Sequence, residues 1–206
     1  MNHLIWPVSL VGILSTAVVF GTDMFFLTVG RPALRLASPA AGTEVMGFFH
    51  VYGDARMPIW GVLAILSNLL LGLLTRGEHH QGLYLLSVSV LILFVVLYNR
   101  FSKPINRLQT EAAKTGGRLD NARELQTSWD RSVMIRTPLL VASLIAQCLA
   151  LLTTSAYMRL HARLSRARRR RTLTIAASWP AARRADISRH CDYSRETRKS
   201  STRPLG

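Results

Sequence analysis

Apolar residues along this chain gather in four runs that are apolar all round, with neither strict alternation nor a single helical stripe. They extend from about Leu4 to Val29, Pro58 to Leu74, Gly82 to Tyr98, and Pro138 to Tyr157. A helix needs about 20 such residues to cross roughly 30 Å of hydrocarbon. Four helices with no polar face have nothing to present to water. The pattern therefore predicts an all-α fold, an integral membrane four-helix up-down bundle. The first run lacks a basic leader and a small-residue cleavage site, so it reads as a retained span. The short TRGEHHQG connection predicts that the second and third spans are antiparallel neighbours.

The connections are less regular. Residues 30–57 read as a loop containing a short helix, with Ser38-Pro39 at its start and Gly53-Asp54 at its end. Phe48 and Phe49 are expected to fold this segment back over the bundle mouth, with Arg56 pairing with Asp54 or Asp130. Residues 99–137 hold two polar helical stretches separated by Gly116-Gly117, which predicts a helical hairpin or extensions of the third and fourth spans.

Composition changes the picture mainly through charge. The 206 residues are 49% hydrophobic with mean hydropathy +0.21, yet the formal charge is +15. Residues 159–206 supply 14 of the 26 Lys and Arg but only 3 of the 11 Asp and Glu. The chain thus divides into a transmembrane domain, 1–158, and a basic C-terminal tail, 159–206, expected to be disordered for want of residues to bury. An arginine cluster joined to a membrane span fits anionic lipid headgroups better than nucleic acid. The two loop sets carry similar basic charge, so orientation rests on the dense RARRRR cluster, which favours a cytoplasmic tail in the cell membrane. Two cysteines far apart in the chain rule out a disulfide scaffold.

Polar residues inside apolar runs are the default functional candidates in a membrane protein. Asp23 is the one acid within a span, suited either to accepting a proton or to pairing with a basic residue of another helix. Asn68 and Gln147 are expected to hydrogen-bond between helices. The densest polar group is FHVYGDARMP, where His50 can act as a base, Asp54 can orient it and Arg56 can stabilise an anion. The same residues also serve ordinary loops as caps and ion pairs. Glu78-His79-His80 reads as a solvated turn rather than a metal site. No P-loop, GxGxxG, HExxH or GxSxG sequence is present.

Single residues in a fixed order carry a likeness to a known family. They are Arg31-Pro32 after a glycine-bearing first span, Asn99 followed by Pro104-Ile105-Asn106 after the third, and Trp129 before Arg136-Thr137 at the fourth. Over roughly residues 5–158 this order resembles the anthrone oxygenase-like family of small four-span membrane proteins. Characterised members are associated with oxidising anthrone-type polyketides to anthraquinones without an evident cofactor. The resemblance implies a cavity for a flat lipophilic aromatic, a base, and a donor for an enolate oxygen. The bundle mouth could supply those parts, with catalytic roles for His50, Asp54 and Arg56 read from the residues themselves and substrate contacts from Tyr52, Trp129, Arg136 and Asn99; no metal is expected. The competing reading is a non-catalytic integral protein whose bundle serves packing, lipid or partner contacts.

Overall fold

The computed structural model describes residues 2–178, with side chains placed for most of 4–155. The chain divides into two compact units, Met1–Thr154 and Ser155–Gly206. The first unit consists of four long helical rods. The first rod joins α1 (Asn2–Phe25), one π-helical turn (Phe26–Gly30) and α2 (Arg31–Leu36). The second is the single helix α3 (Pro39–Leu74). The third joins α4 (Gln81–Leu97), a π-helical turn (Tyr98–Ser102) and α5 (Lys103–Thr115). The fourth is α6 (Ala122–Ser178), of which the part up to Thr154 belongs to this unit. Each rod is long and apolar enough to cross a membrane; this is a helical membrane protein, with no strand among the described residues.

The interior confirms the up-down arrangement layer by layer. Ile5, Leu71, Tyr84 and Ala150, one from each rod, form the first apolar layer. Val19, Ala64, Leu91 and Leu140 form the next, and Met46, Trp129 and Val133 a third with Ile105 packed against it. Numbers rise in the first and third rods and fall in the second and fourth. Polar layers lie between the apolar ones. In the upper of them the Gln147 amide donates to Thr16, Ser87 and Ser143 at 2.9–3.1 Å, so it does bond between helices. Asn68 instead donates to the Ala64 carbonyl of its own helix at 2.8 Å.

Several sequence expectations are corrected here. Ser38 does cap α3, accepting from the Ala41 amide, with Pro39 in the first turn. The helix then passes through Gly53-Asp54 and Pro58 without a break. A trans proline costs one amide donor, a loss that membrane helices tolerate. No loop folds back over the bundle: Phe48 and Phe49 are 44% and 49% exposed. The 99–137 segment does extend the third and fourth spans, and Gly116 at φ 66° caps α5 between them. Helix α6 continues to Ser178; the disorder expected of the remaining tail, residues 179–206, falls outside the described residues.

At 1.5 Å per residue, the 33–36 residues of Leu4–Leu36, Pro39–Leu74, Gln81–Thr115 and Ala122–Ser155 each extend about 50 Å, well beyond the hydrocarbon thickness. The apolar runs end near Val29, Pro58, Tyr98 and Pro138, so these four positions mark one polar boundary. Beyond it, the rods continue as a polar four-helix extension.

At the opposite end, the connection between α3 and α4 buries His80 edge-on against Tyr84, with ring centroids 6.3 Å apart. It is therefore not a wholly solvated turn. Burial pushes the His80 imidazole below its ordinary value near 6.5; Glu78 opposes this shift and His79 adds to it. The unfolded chain takes up a proton that the folded chain resists, so stability is full above about 6.5 and declines as pH falls below it. Melting of the detergent-solubilised protein between pH 7.5 and 5 should show that decline, and His80→Gln should flatten it. An unchanged slope in the variant would assign the decline to other groups.

Candidate functional site

The extension and the polar boundary enclose a connected network. Its anchor is Asp130 on α6, which can only accept hydrogen bonds when ionised. Gln126 donates to Asp130 Oδ1 at 2.9 Å, and Gln109 donates to Gln126 Oε1 at 3.3 Å. The remaining Gln109 oxygen lies 2.9 Å from His50 Nε2. Because each amide spends its NH2 toward Asp130, Gln109 offers His50 an acceptor. The relay thereby places the proton of neutral His50 on Nε2 and leaves the lone pair on Nδ1. No hydrogen-bond partner of Nδ1 is found among the described residues. His50 is buried beside Trp129, with ring centroids 5.6 Å apart.

A second branch starts at Asp54, one helical turn after His50. Its Oδ1 accepts from the Tyr98 hydroxyl at 2.5 Å and from Asn106 Nδ2 at 2.9 Å. Asn106 Oδ1 in turn accepts from the indole of Trp129 at 2.9 Å. Asp54 therefore orients Tyr98 and Asn106 and makes no hydrogen bond with His50, contrary to the sequence reading. Both Tyr98 and Ser102 come from the π-helical turn of the third rod, whose wider pitch shifts the register of the residues that follow.

The third branch is the deepest. Arg136 makes a fork with Asp23, Nε to Oδ2 at 2.8 Å and Nη2 to Oδ1 at 2.7 Å. Nη1 donates to Ser102, which also bonds Ser132 at 2.8 Å. The guanidinium lies 5.5–5.7 Å from the ring centres of Phe94, Tyr98 and Trp129. Asp23 thus has a basic partner on another helix, one of the two roles expected for it. Arg136 is already neutralised by that carboxylate, which leaves it poorly suited to meeting an enolate oxygen.

Three residues singled out in the sequence lie off this network. Tyr52 and Arg56 are both exposed and stack on one another at 5.3 Å. They sit two and six residues after His50, so a helical repeat of 100° per residue turns them to the opposite face. With residues 50–56 helical, the set splits into His50 and Asp54 inward and Tyr52 and Arg56 outward. Arg56 pairs with neither Asp54 nor Asp130; it is Arg31 that approaches Asp130, at 3.3 Å. Asn99 is exposed, bonded to the Val95 carbonyl and to Lys103.

The sequence reading passed over Gln109, Gln126 and Tyr98, and used Asn106 only as part of the family likeness. Their signal was weak because two of the three buried residues of α5, Asn106 and Gln109, are polar, so the inward face does not stand out as an apolar stripe. Two clefts lie near the network. A narrow one is bordered by Gln109, Gln126 and Leu34, and a wider one by Leu27, Arg31 and Met134; neither is lined by His50, Asp54 or Trp129. Among the described residues no three His, Cys, Asp or Glu side chains group as metal ligands. No family model, curated protein or solved structure matches the chain.

Proposed function

We propose that this is an integral protein of the cell membrane that handles a flat lipophilic aromatic at its polar boundary, as the anthrone oxygenase-like resemblance implies. The observation supporting the reading is the Asp130–Gln126–Gln109 relay, which presents His50 with its Nδ1 lone pair unengaged. In an anthrone the methylene between two rings is acidic. Its proton would pass to His50 Nδ1, and the carbanion would reduce dioxygen to a bound hydroperoxide. Loss of water then leaves the carbonyl, so one dioxygen is consumed and one water released, with no cofactor. The helical basic segment from Arg159 to Arg171 would lie against anionic headgroups and set the orientation.

The non-catalytic reading has an observation of its own: Arg136 and Asp23 are engaged with one another, and Asp54 with Tyr98 and Asn106. Quinone formation and oxygen uptake by the nanodisc-embedded protein, with an anthrone as probe, separate the two. A working base contributes about 10²–10⁴ in rate, so His50→Ala should lose at least about a hundredfold with its helical content intact. An unchanged rate, or none in the parent protein, returns the network to a purely structural role.

A further inference from the structure

The wider cleft opens on the lipid-facing side of the bundle. It is a shallow groove of about 460 Å³ between the first rod and α6, lined by Leu27, Arg31, Met134, Thr137, Pro138 and Val141. From Met134 to Val141 it runs about 10 Å along the helix. Its Pro138–Val141 half belongs to the apolar run of the fourth span, and Arg31 stands just past the end of the apolar run of the first. The groove therefore crosses the level where hydrocarbon gives way to headgroups.

Arg31 is bonded in a way unusual for a guanidinium. Its Nη1 donates to the thioether of Met134 at 3.2 Å, a weak acceptor. Its Nε is buried with no aligned hydrogen bond, although Asp130 Oδ2 lies 3.3 Å away. The side chain remains 30% exposed. A planar fork of this kind matches phosphate and carboxylate oxygens. Further positive charge lies nearby: Arg35 is one turn along α2, and Arg131 is one turn before Met134 on the same face of α6. The facing acids are Asp130, already engaged by Gln126, and Glu124, two turns from Arg131.

We propose that this groove seats one anionic phospholipid, its phosphate on Arg31 and one acyl chain along Pro138 and Val141. An amphiphile suits the site because its cationic and apolar ends fall on either side of the polar boundary. A neutral lipophile would leave Arg31 with only the Met134 thioether and the Asp130 carboxylate beside it, and a soluble anion would leave the Pro138–Val141 wall unused. The site is independent of His50 and of any oxidation.

The test uses the full chain in mild detergent, titrated with phosphatidylglycerol or phosphatidylcholine, with native mass spectrometry and melting as readouts. The parent protein should retain one phosphatidylglycerol in preference to phosphatidylcholine and melt at higher temperature with it. Arg31→Gln should weaken that binding about tenfold or more, the loss expected for a charge-assisted hydrogen bond. Val141→Trp, which keeps every charge and fills the groove, should weaken it similarly. If Arg31→Gln fails to fold, Val141→Trp decides alone. Equal retention of the two lipids by the parent, or undiminished binding by the groove-filling variant, would overturn the proposal. The readouts here are lipid retention and the lipid-induced melting shift, neither of which measures oxidation, which keeps this test separate from the activity test.

Discussion

Arg136→Met is expected to destabilise the bundle by about 3–5 kcal/mol, the cost of leaving one member of a buried ion pair without its partner. In this variant Asp23, only 3% exposed, loses both fork hydrogen bonds. Asp23→Leu should cost a similar amount, because the guanidinium would then lie among Phe94, Tyr98 and Trp129 with only Ser102 as a hydrogen-bond acceptor. The double variant should regain most of the loss, since replacing a whole buried pair by apolar groups is often close to neutral. Thermal and denaturant melting of the four proteins in one detergent checks this as a double-mutant cycle. Additive losses would mean that the two residues act separately, and the ion pair could not then be what joins the first and fourth rods at this level.

Gly47→Ala is expected to be the most damaging of the simple glycine replacements in α3. A methyl group there would overlap the backbone carbonyl of Gln109 and the Cβ of Ala113, and a backbone carbonyl cannot turn aside as a flexible side chain does. Alanine gains about 1 kcal/mol in helix propensity over glycine, while overpacking of this kind costs about 1–3 kcal/mol. Because the obstruction is backbone, α5 must move away from α3, and the net should be a loss of up to about 2 kcal/mol. The same movement lengthens the His50–Gln109 hydrogen bond, one turn further along the same interface. Gly53→Ala and Gly61→Ala meet nothing within 4 Å and should instead raise stability slightly. Melting of the three variants should therefore differ in sign; a stabilised Gly47→Ala would show that the α3–α5 contact is looser than described.

The roles of Gly47 and Gly53 were not legible in the sequence. Both are glycines in a polar-to-apolar transition, and Gly53-Asp54 carries the stronger turn signal. The helix nevertheless continues, because α3 packs against α1, α4 and α5 along its length, and this packing outweighs a local preference for a break. That continuation also divides the FHVYGDARMP residues. Read as a loop, His50, Tyr52, Asp54 and Arg56 seemed free to converge, whereas on a helix only those four apart share a face.

What the sequence alone determined is the class of the protein and the one span acid that had to find a partner inside it. Four all-round apolar runs leave no alternative to spanning helices, because only closed hydrogen bonding survives in hydrocarbon. Asp23, the single acid within a span, needed a partner for the same reason. Which partner it took was decided by the tertiary structure. The layers of the antiparallel rods set Asp23 level with Arg136, 113 positions away in the chain. They likewise set His50 level with Gln109 and Arg31 level with Asp130. Local sequence fixes the periodicity of a helix but not its rotation and height against its neighbours, which follow from how glycines, π-helical turns and apolar layers interlock.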